Sequence, residues 1–295
     1  MEKKKVVSHQ STGGKKCTVN NVQLYCERSG HSGEPLILVH GSWVDHLTWN
    51  KVVPAFSQSF HVLTYDRRGH SQSERPASPG SIKQDVADLA SLVEEWQLAP
   101  AHIVGNSAGG SIVLRLAAER PDLFRSLVVH EPPVFSLLTD GEHRAMLTAV
   151  KERIGAVAML LEAGDMEGGA RLFVETIVYG PGAWEQLPAE LKKTVIFNAP
   201  TFLDEVRDND FFCIDPTRLI QFPHPVLLTH GEKSPPFFPP IINKLATAFP
   251  HAQQTIFQGA GHEPEQTQPE AWVAALSAFI KRVAGKPVYT PGARL

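Results

Sequence analysis

Four short apolar runs constrain this chain more than any other feature: residues 36–40 (LILVH), 60–65 (FHVLTY), 101–104 (AHIV) and 126–130 (SLVVH). None alternates apolar with polar residues, which marks strands buried on both faces. Helical patterns separate them. Ser81 is placed to cap residues 82–96, where Ile82, Val86, Leu89 and Val93 recur at spacings of three and four. Residues 111–120 form a second helical pattern, ended by Pro121. Strands alternating with helices of this length predict a doubly wound, mostly parallel α/β sheet, with its chemistry at the carboxyl ends of the strands.

Before these runs, two β-rich pieces at 17–22 and 24–28, with a turn at Asn20 and Asn21, predict a hairpin. They follow a polar segment, 1–16, expected to be a flexible lead-in. The rhythm breaks after Pro133. Residues 134–222 show helical periodicity and many aromatics but no buried-strand run, which predicts a mostly helical cap insertion. The α/β pattern returns with a strand at 226–230 (VLLTH), a helix from about Pro240 to Phe249, a strand at 253–257 and an amphipathic helix at 269–283. The expected core is therefore 17–133 together with 223–295.

The 295 residues, 42% of them hydrophobic, suffice for one large domain with an insertion. Lys and Arg number 28 against 31 Asp and Glu, so the net charge is −3 and no broad cationic surface is available to a phosphate backbone. No nucleic-acid partner is expected. Nor is a membrane, because no run approaches the roughly 18 apolar residues that span a bilayer. Cys17, Cys26 and Cys213 match neither a disulfide framework nor a zinc spacing, and the lead-in lacks a signal peptide's apolar core. A reduced, cytoplasmic protein is expected. With no metal cluster and no glycine-rich nucleotide loop in the sequence, neither metal nor cofactor is expected.

Gly105-Asn106-Ser107-Ala108-Gly109 fits G-x-S-x-G directly between an apolar strand and a helix. A serine at such a turn needs a strained backbone and small neighbours, which Gly105, Ala108, Gly109 and Gly110 supply. The turn lifts the hydroxyl off the sheet, while the following backbone N–H and the helix N-terminus face a developing oxyanion. Ser107 is the expected nucleophile.

With these features the chain resembles the α/β-hydrolase fold superfamily. The matching motifs run in order: His40-Gly41, then Tyr65-Asp66-Arg67-Arg68-Gly69-His70-Ser71, the elbow at Ser107, and Gly259-Ala260-Gly261-His262. The resemblance implies that Ser42, after His-Gly, and Ala108 donate their backbone N–H groups to the substrate oxyanion. It also implies a histidine base. Of 13 histidines, His262 follows a late strand in a glycine-rich loop and precedes the last helix. His40, His102 and His130 are expected to be structural, as are Asp66, Arg67 and Arg68.

The acid departs from the common family pattern. Many relatives carry Asp in His-Gly-x-x-Asp, whereas this chain has His230-Gly231-Glu232-Lys233-Ser234. A hydroxyl cannot stabilise an imidazolium as a carboxylate does. Glu131 offers another source, since it ends the 126–130 strand and Pro132 and Pro133 fix its exit; its place resembles the Glu of some haloalkane dehalogenases in the superfamily. A carboxylate there is costly unless paired, and a histidine partner would explain it. Glu131 is preferred, with Glu232 or a residue of the insertion as alternatives. Glu263 is expected to point elsewhere.

Such a set suits a serine hydrolase cleaving a carboxylic ester or lactone, including a bulky or macrocyclic one, through an acyl-enzyme with water as acceptor. Alternatives on the same fold are a carbon–carbon bond hydrolase, which the Gly-Asn-Ser elbow resembles, a perhydrolase, and a non-catalytic receptor or binding protein. Trp43 and Trp49 either line the pocket or pack. Trp184 and Phe237 are further candidates for substrate contact, and Phe197, Phe202 and Phe211 add to the aromatic content of the cap.

Overall fold

A computed structural model describes residues 12–283. Eight strands form one sheet in the order β1-β2-β4-β3-β5-β6-β7-β8. They are β1 (Thr12–Val19), β2 (Val22–Ser29), β3 (Glu34–Val39), β4 (Phe60–Tyr65), β5 (Ala101–Asn106), β6 (Phe124–His130), β7 (Val226–Gly231) and β8 (Gln253–Phe257). β1 and β2 pair antiparallel, as do β2 and β4, and every other pairing is parallel. This is the mostly parallel α/β sheet expected from the buried runs, and the α/β-hydrolase fold that the resemblance implies.

Alternation along the central strands divides the core. Ile37, Val39, Ile103 and Val129 join a large cluster on one face; Leu36, Leu38, Val104 and Val128 join a smaller one on the other with Trp49 and Trp272. The apolar runs lacked alternation because both faces are covered. Helix α1 (Ile82–Glu95) begins where the Ser81 side chain accepts from the Gln84 N–H, and α2 (Ala108–Glu119) follows the elbow.

Several boundaries differ from expectation, each for a local reason. Asn20 and Asn21 both take positive φ, 46° and 62°, making a two-residue turn that hands Val22 to β2. β1 reaches back to Thr12, so part of the expected lead-in is an edge strand; backbone pairing with β2 holds it, which leaves no apolar period to read. Residues 1–11 lie outside the described range. α2 starts at Ala108 rather than Ser111, because the bend falls on Ser107 itself.

Between β6 and β7 the chain is helical: α3 (Arg144–Glu162), α4 (Met166–Phe173), which widens into a π-turn at Val174–Val178, and α5 (Ala189–Arg207). No strand occurs there among the described residues. Two helices close the core, α6 (Phe238–Ala248), which admits Pro239 in its first turn, and α7 (Pro269–Val283). Among the described residues no helix is long and apolar enough to cross a membrane.

Candidate active site

Ser107 stands at the end of β5 with φ 54° and ψ −123°, a backbone few side-chain-bearing residues tolerate. Its surroundings impose this bend. A Cβ on Gly105 would lie 2.4 Å from the Gly109 carbonyl oxygen, and one on Gly109 only 2.2 Å from that of Val39. Strand and helix meet too closely for any side chain there. Two further residues at the site also take positive φ, Trp43 at 69° and Glu131 at 45°. Strain of this kind costs about 1–3 kcal/mol per residue and collects where function needs it.

Glu131 is fully buried at the end of β6. Its Oε1 accepts from the Gly231 N–H at 2.7 Å, and its Oε2 lies 2.5 Å from His262 Nδ1. Burial disfavours the charged carboxylate, but the imidazoles of His130 and His262 outweigh it and hold the pKa below that of an ordinary glutamate. The Ser234 hydroxyl helps in the same direction, although among the described residues it has no partner at good hydrogen-bond geometry. Glu232 is occupied elsewhere, accepting from the Gly259 N–H.

His262 is held from three sides. Nδ1 faces Glu131, the ring stacks on Phe238 at 4.8 Å and 8°, and the backbone carbonyl lies 3.1 Å from His130 Nε2. His130 Nδ1 meets Thr229, and burial lowers its pKa to about 4, so it serves as a neutral strut. His40 is likewise buried and neutral, its pKa lowered to about 3 by burial: Nδ1 faces the Gly41 carbonyl and Nε2 accepts from the Arg67 N–H. His102 bridges Ser126 and Glu34. All three are buried and held by hydrogen bonds within the fold.

Ser107 and His262 line one cavity, together with Ser42 and Trp43. They share its wall without a direct hydrogen bond among those of the described residues. Catalytic contacts are often loose in a resting site. Neither the Ser42 nor the Ala108 backbone N–H has a protein acceptor among the described residues. The position of a Cβ on Gly41 would be 3.0 Å from the Ser107 Cβ, so the loop carrying Ser42 abuts the nucleophile candidate. The helical segment closes the cavity with Phe173, Val174 and Val178 from the π-turn region and Leu191 and Val195 from α5.

A model of the alpha/beta hydrolase family matches residues 36–276. The chain belongs to this family. Esterase YbfF of Escherichia coli (strain K12) is 24% identical over 268 residues, 88% of this α/β hydrolase and 98% of the relative. An (E)-2-((N-methylformamido)methylene)succinate hydrolase of Acinetobacter baylyi is 32% identical over 114 residues, which is 37% of this chain and 43% of that protein. Among solved structures, carboxylesterase CesB of Bacillus subtilis has a TM-score of 0.76 at 18% identity, covering 92% of each chain.

Three sequence expectations for this α/β hydrolase change. Trp184 does not line the cavity; it is buried in a short helical turn, with Lys192 over its ring. Phe237 packs on Phe135 and Phe238 instead, and it is Phe238 that reaches the histidine. Glu263, expected to point elsewhere, lines the cavity beside His262. Of the two tryptophans left open, Trp43 lines the cavity, stacked on Phe173, and Trp49 belongs to the core. Phe197 is 58% exposed, while Phe202 and Phe211 are buried packing residues.

One group went unread. From α5, Asn198 donates to the Trp43 and Val44 carbonyls, Thr201 meets His70, and Glu205 accepts from the Ser42 hydroxyl at 2.6 Å and from Arg67 at 3.0 Å. Asn198 and Glu205 clamp the loop bearing Ser42, and Thr201 holds the neighbouring loop through His70. Their spacing of three and four on one helix face was the available signal, but polar residues at that spacing ordinarily face water. Arg67 also pairs with Asp85. One guanidinium thus serves two carboxylates, and burial pushes Glu205 up to about 7.

Among the described residues, two clusters have metal-ligand types, His130-Glu131-His262 and Asp45-His46-Asp66. In the second, Asp66 accepts from the His46 ring and from two backbone N–H groups, and Asp45 accepts from Ser71 and Leu47. Both clusters read as hydrogen-bond networks whose ligand atoms are already engaged.

Proposed function

We propose that this α/β hydrolase is a serine hydrolase that cleaves a carboxylic ester or lactone through an acyl-enzyme. The observation that carries the reading is the 2.5 Å contact between His262 Nδ1 and the buried Glu131, at a cavity whose wall also holds Ser107 on its strained turn. With Nδ1–H donating to Glu131, Nε2 is left as the proton acceptor. Ser107 Oγ attacks the substrate carbonyl as Nε2 takes its proton. The oxyanion is met by the Ser42 and Ala108 N–H groups, each worth about 2.7–4 kcal/mol in the transition state.

The alcohol then leaves with the proton from His262, and water repeats the sequence on the acyl-enzyme. Glu131 stays ionised and stabilises the imidazolium. Residues 134–222 act as the cap of a core formed by 17–133 and 223–295, of which 284–295 lie outside the described residues, and Trp43 contacts substrate. The match to an esterase along nearly the whole chain supports the ester reading. The test is intact-protein mass spectrometry after a fluorophosphonate probe, on wild type and Ser107→Ala, with turnover of activated esters and lactones. One adduct, lost in the variant, together with turnover is expected; no adduct and no turnover would overturn the reading.

A further inference from the structure

The cavity wall is apolar except near the reacting groups and at one other place. There Glu263 lines it together with Tyr179 of the turn after Val174–Val178, and the Tyr179 phenol faces the Glu263 carboxylate. Glu263 is half-buried, and burial together with Glu263 pushes the Tyr179 phenol well above its ordinary value, although the residue as a whole is 40% exposed. Among the described residues that line this cavity there is no Lys or Arg. Glu265, a buried carboxyl that interacts with Glu263, brings no positive charge to the pair; it accepts from Asn106 and is raised well above the ordinary glutamate value by burial and by Glu263.

A substrate carboxylate entering this space would lose water without meeting a positive partner, and it would face Glu263. A like charge several ångströms away at a protein surface costs on the order of a tenfold change in rate constant or more, less as salt is added. A cationic group gains by the same field, and a hydroxyl or amine can donate to the carboxylate. We propose that Glu263 is a specificity determinant that makes this hydrolase select uncharged or positively charged esters over carboxylate-bearing ones. The proposal rests on the serine-esterase reading, and the two fail differently.

The test measures kcat/KM for matched 4-nitrophenyl esters of butyrate, succinate (the monoester) and 4-(trimethylammonio)butyrate. A second series places the same charges in the alcohol of acetate esters. At low salt, in at least one series, the anionic ester is expected to fall about tenfold or more below the neutral one, with the cationic ester at or above it. In Glu263→Gln the cationic-to-anionic ratio should shrink about tenfold, and a ratio is independent of the folded fraction. Equal rates for anionic and neutral esters in both series would overturn the proposal, as would an unchanged ratio in Glu263→Gln. No turnover of any ester, with no fluorophosphonate adduct, would instead overturn the esterase reading.

Discussion

The two halves of the cavity wall were built by different means. On the sheet side, Ser107, Glu131 and the Gly231 N–H sit at the ends of adjacent strands β5, β6 and β7, so the backbone ladder fixes them and their neighbours are dictated by register. On the helical side, α5 works through side chains alone: Leu191 and Val195 line the same cavity, Asn198 and Glu205 grip the loop that carries Ser42 and Trp43, and Thr201 holds the neighbouring loop at His70. Backbone-built features leave marks in a sequence, such as a glycine where a Cβ cannot fit. Side-chain clamps leave almost none.

Substitutions should separate the halves. The largest effect belongs to the sheet side, where Ser107→Ala or His262→Ala should each lower kcat by on the order of a millionfold with little change in Tm. Loss of Tm rather than kcat would mean that these residues hold the fold. Gly109→Ala places a Cβ 2.2 Å from the Val39 carbonyl oxygen, and backbone cannot yield there cheaply. A destabilisation of about 3 kcal/mol is expected in urea unfolding, and an unchanged midpoint would show that the elbow is looser than described.

On the helical side the effects should be graded. Asn198→Ala strands the Trp43 and Val44 carbonyls and should cost about 1–3 kcal/mol, with kcat/KM falling through a displaced Ser42 loop. A loss of stability with kcat/KM intact would confine α5 to packing. The smallest effect is a pH slope. Because Glu205 binds its proton more tightly folded than unfolded, its contribution to stability is present at low pH and is lost as pH rises from about 4.5 to about 7. The Tm of Glu205→Gln relative to wild type should therefore increase from pH 5 to pH 8; a difference independent of pH would contradict the assignment.

The same contrast explains what could be read beforehand. The buried runs gave the sheet, and the G-x-S-x-G turn gave Ser107 because only small neighbours pass there. The pairing of Glu131 with His262 was readable because a carboxylate closing an apolar strand needs a partner, and the sequence has Ser234 where many relatives carry an acid. Trp184 and Phe237 misled because a buried aromatic in the sequence does not say which of its neighbours is a cavity. Glu263 was discounted because chain geometry rules it out as partner to its own neighbour's ring, yet it leaves the side chain free to face the cavity. The edge strand at Thr12–Lys16 has no apolar period at all, since it is held by hydrogen bonds to β2.

The central claim is that the acid comes from the end of β6 and not of β7. It is tested most directly by kcat/KM of purified, folded Glu131→Gln beside Ser234→Ala. The account predicts a loss on the order of ten-thousandfold for Glu131→Gln, as for other triad acids, and only a few-fold loss for Ser234→Ala. Activity of Glu131→Gln within tenfold of wild type would contradict it.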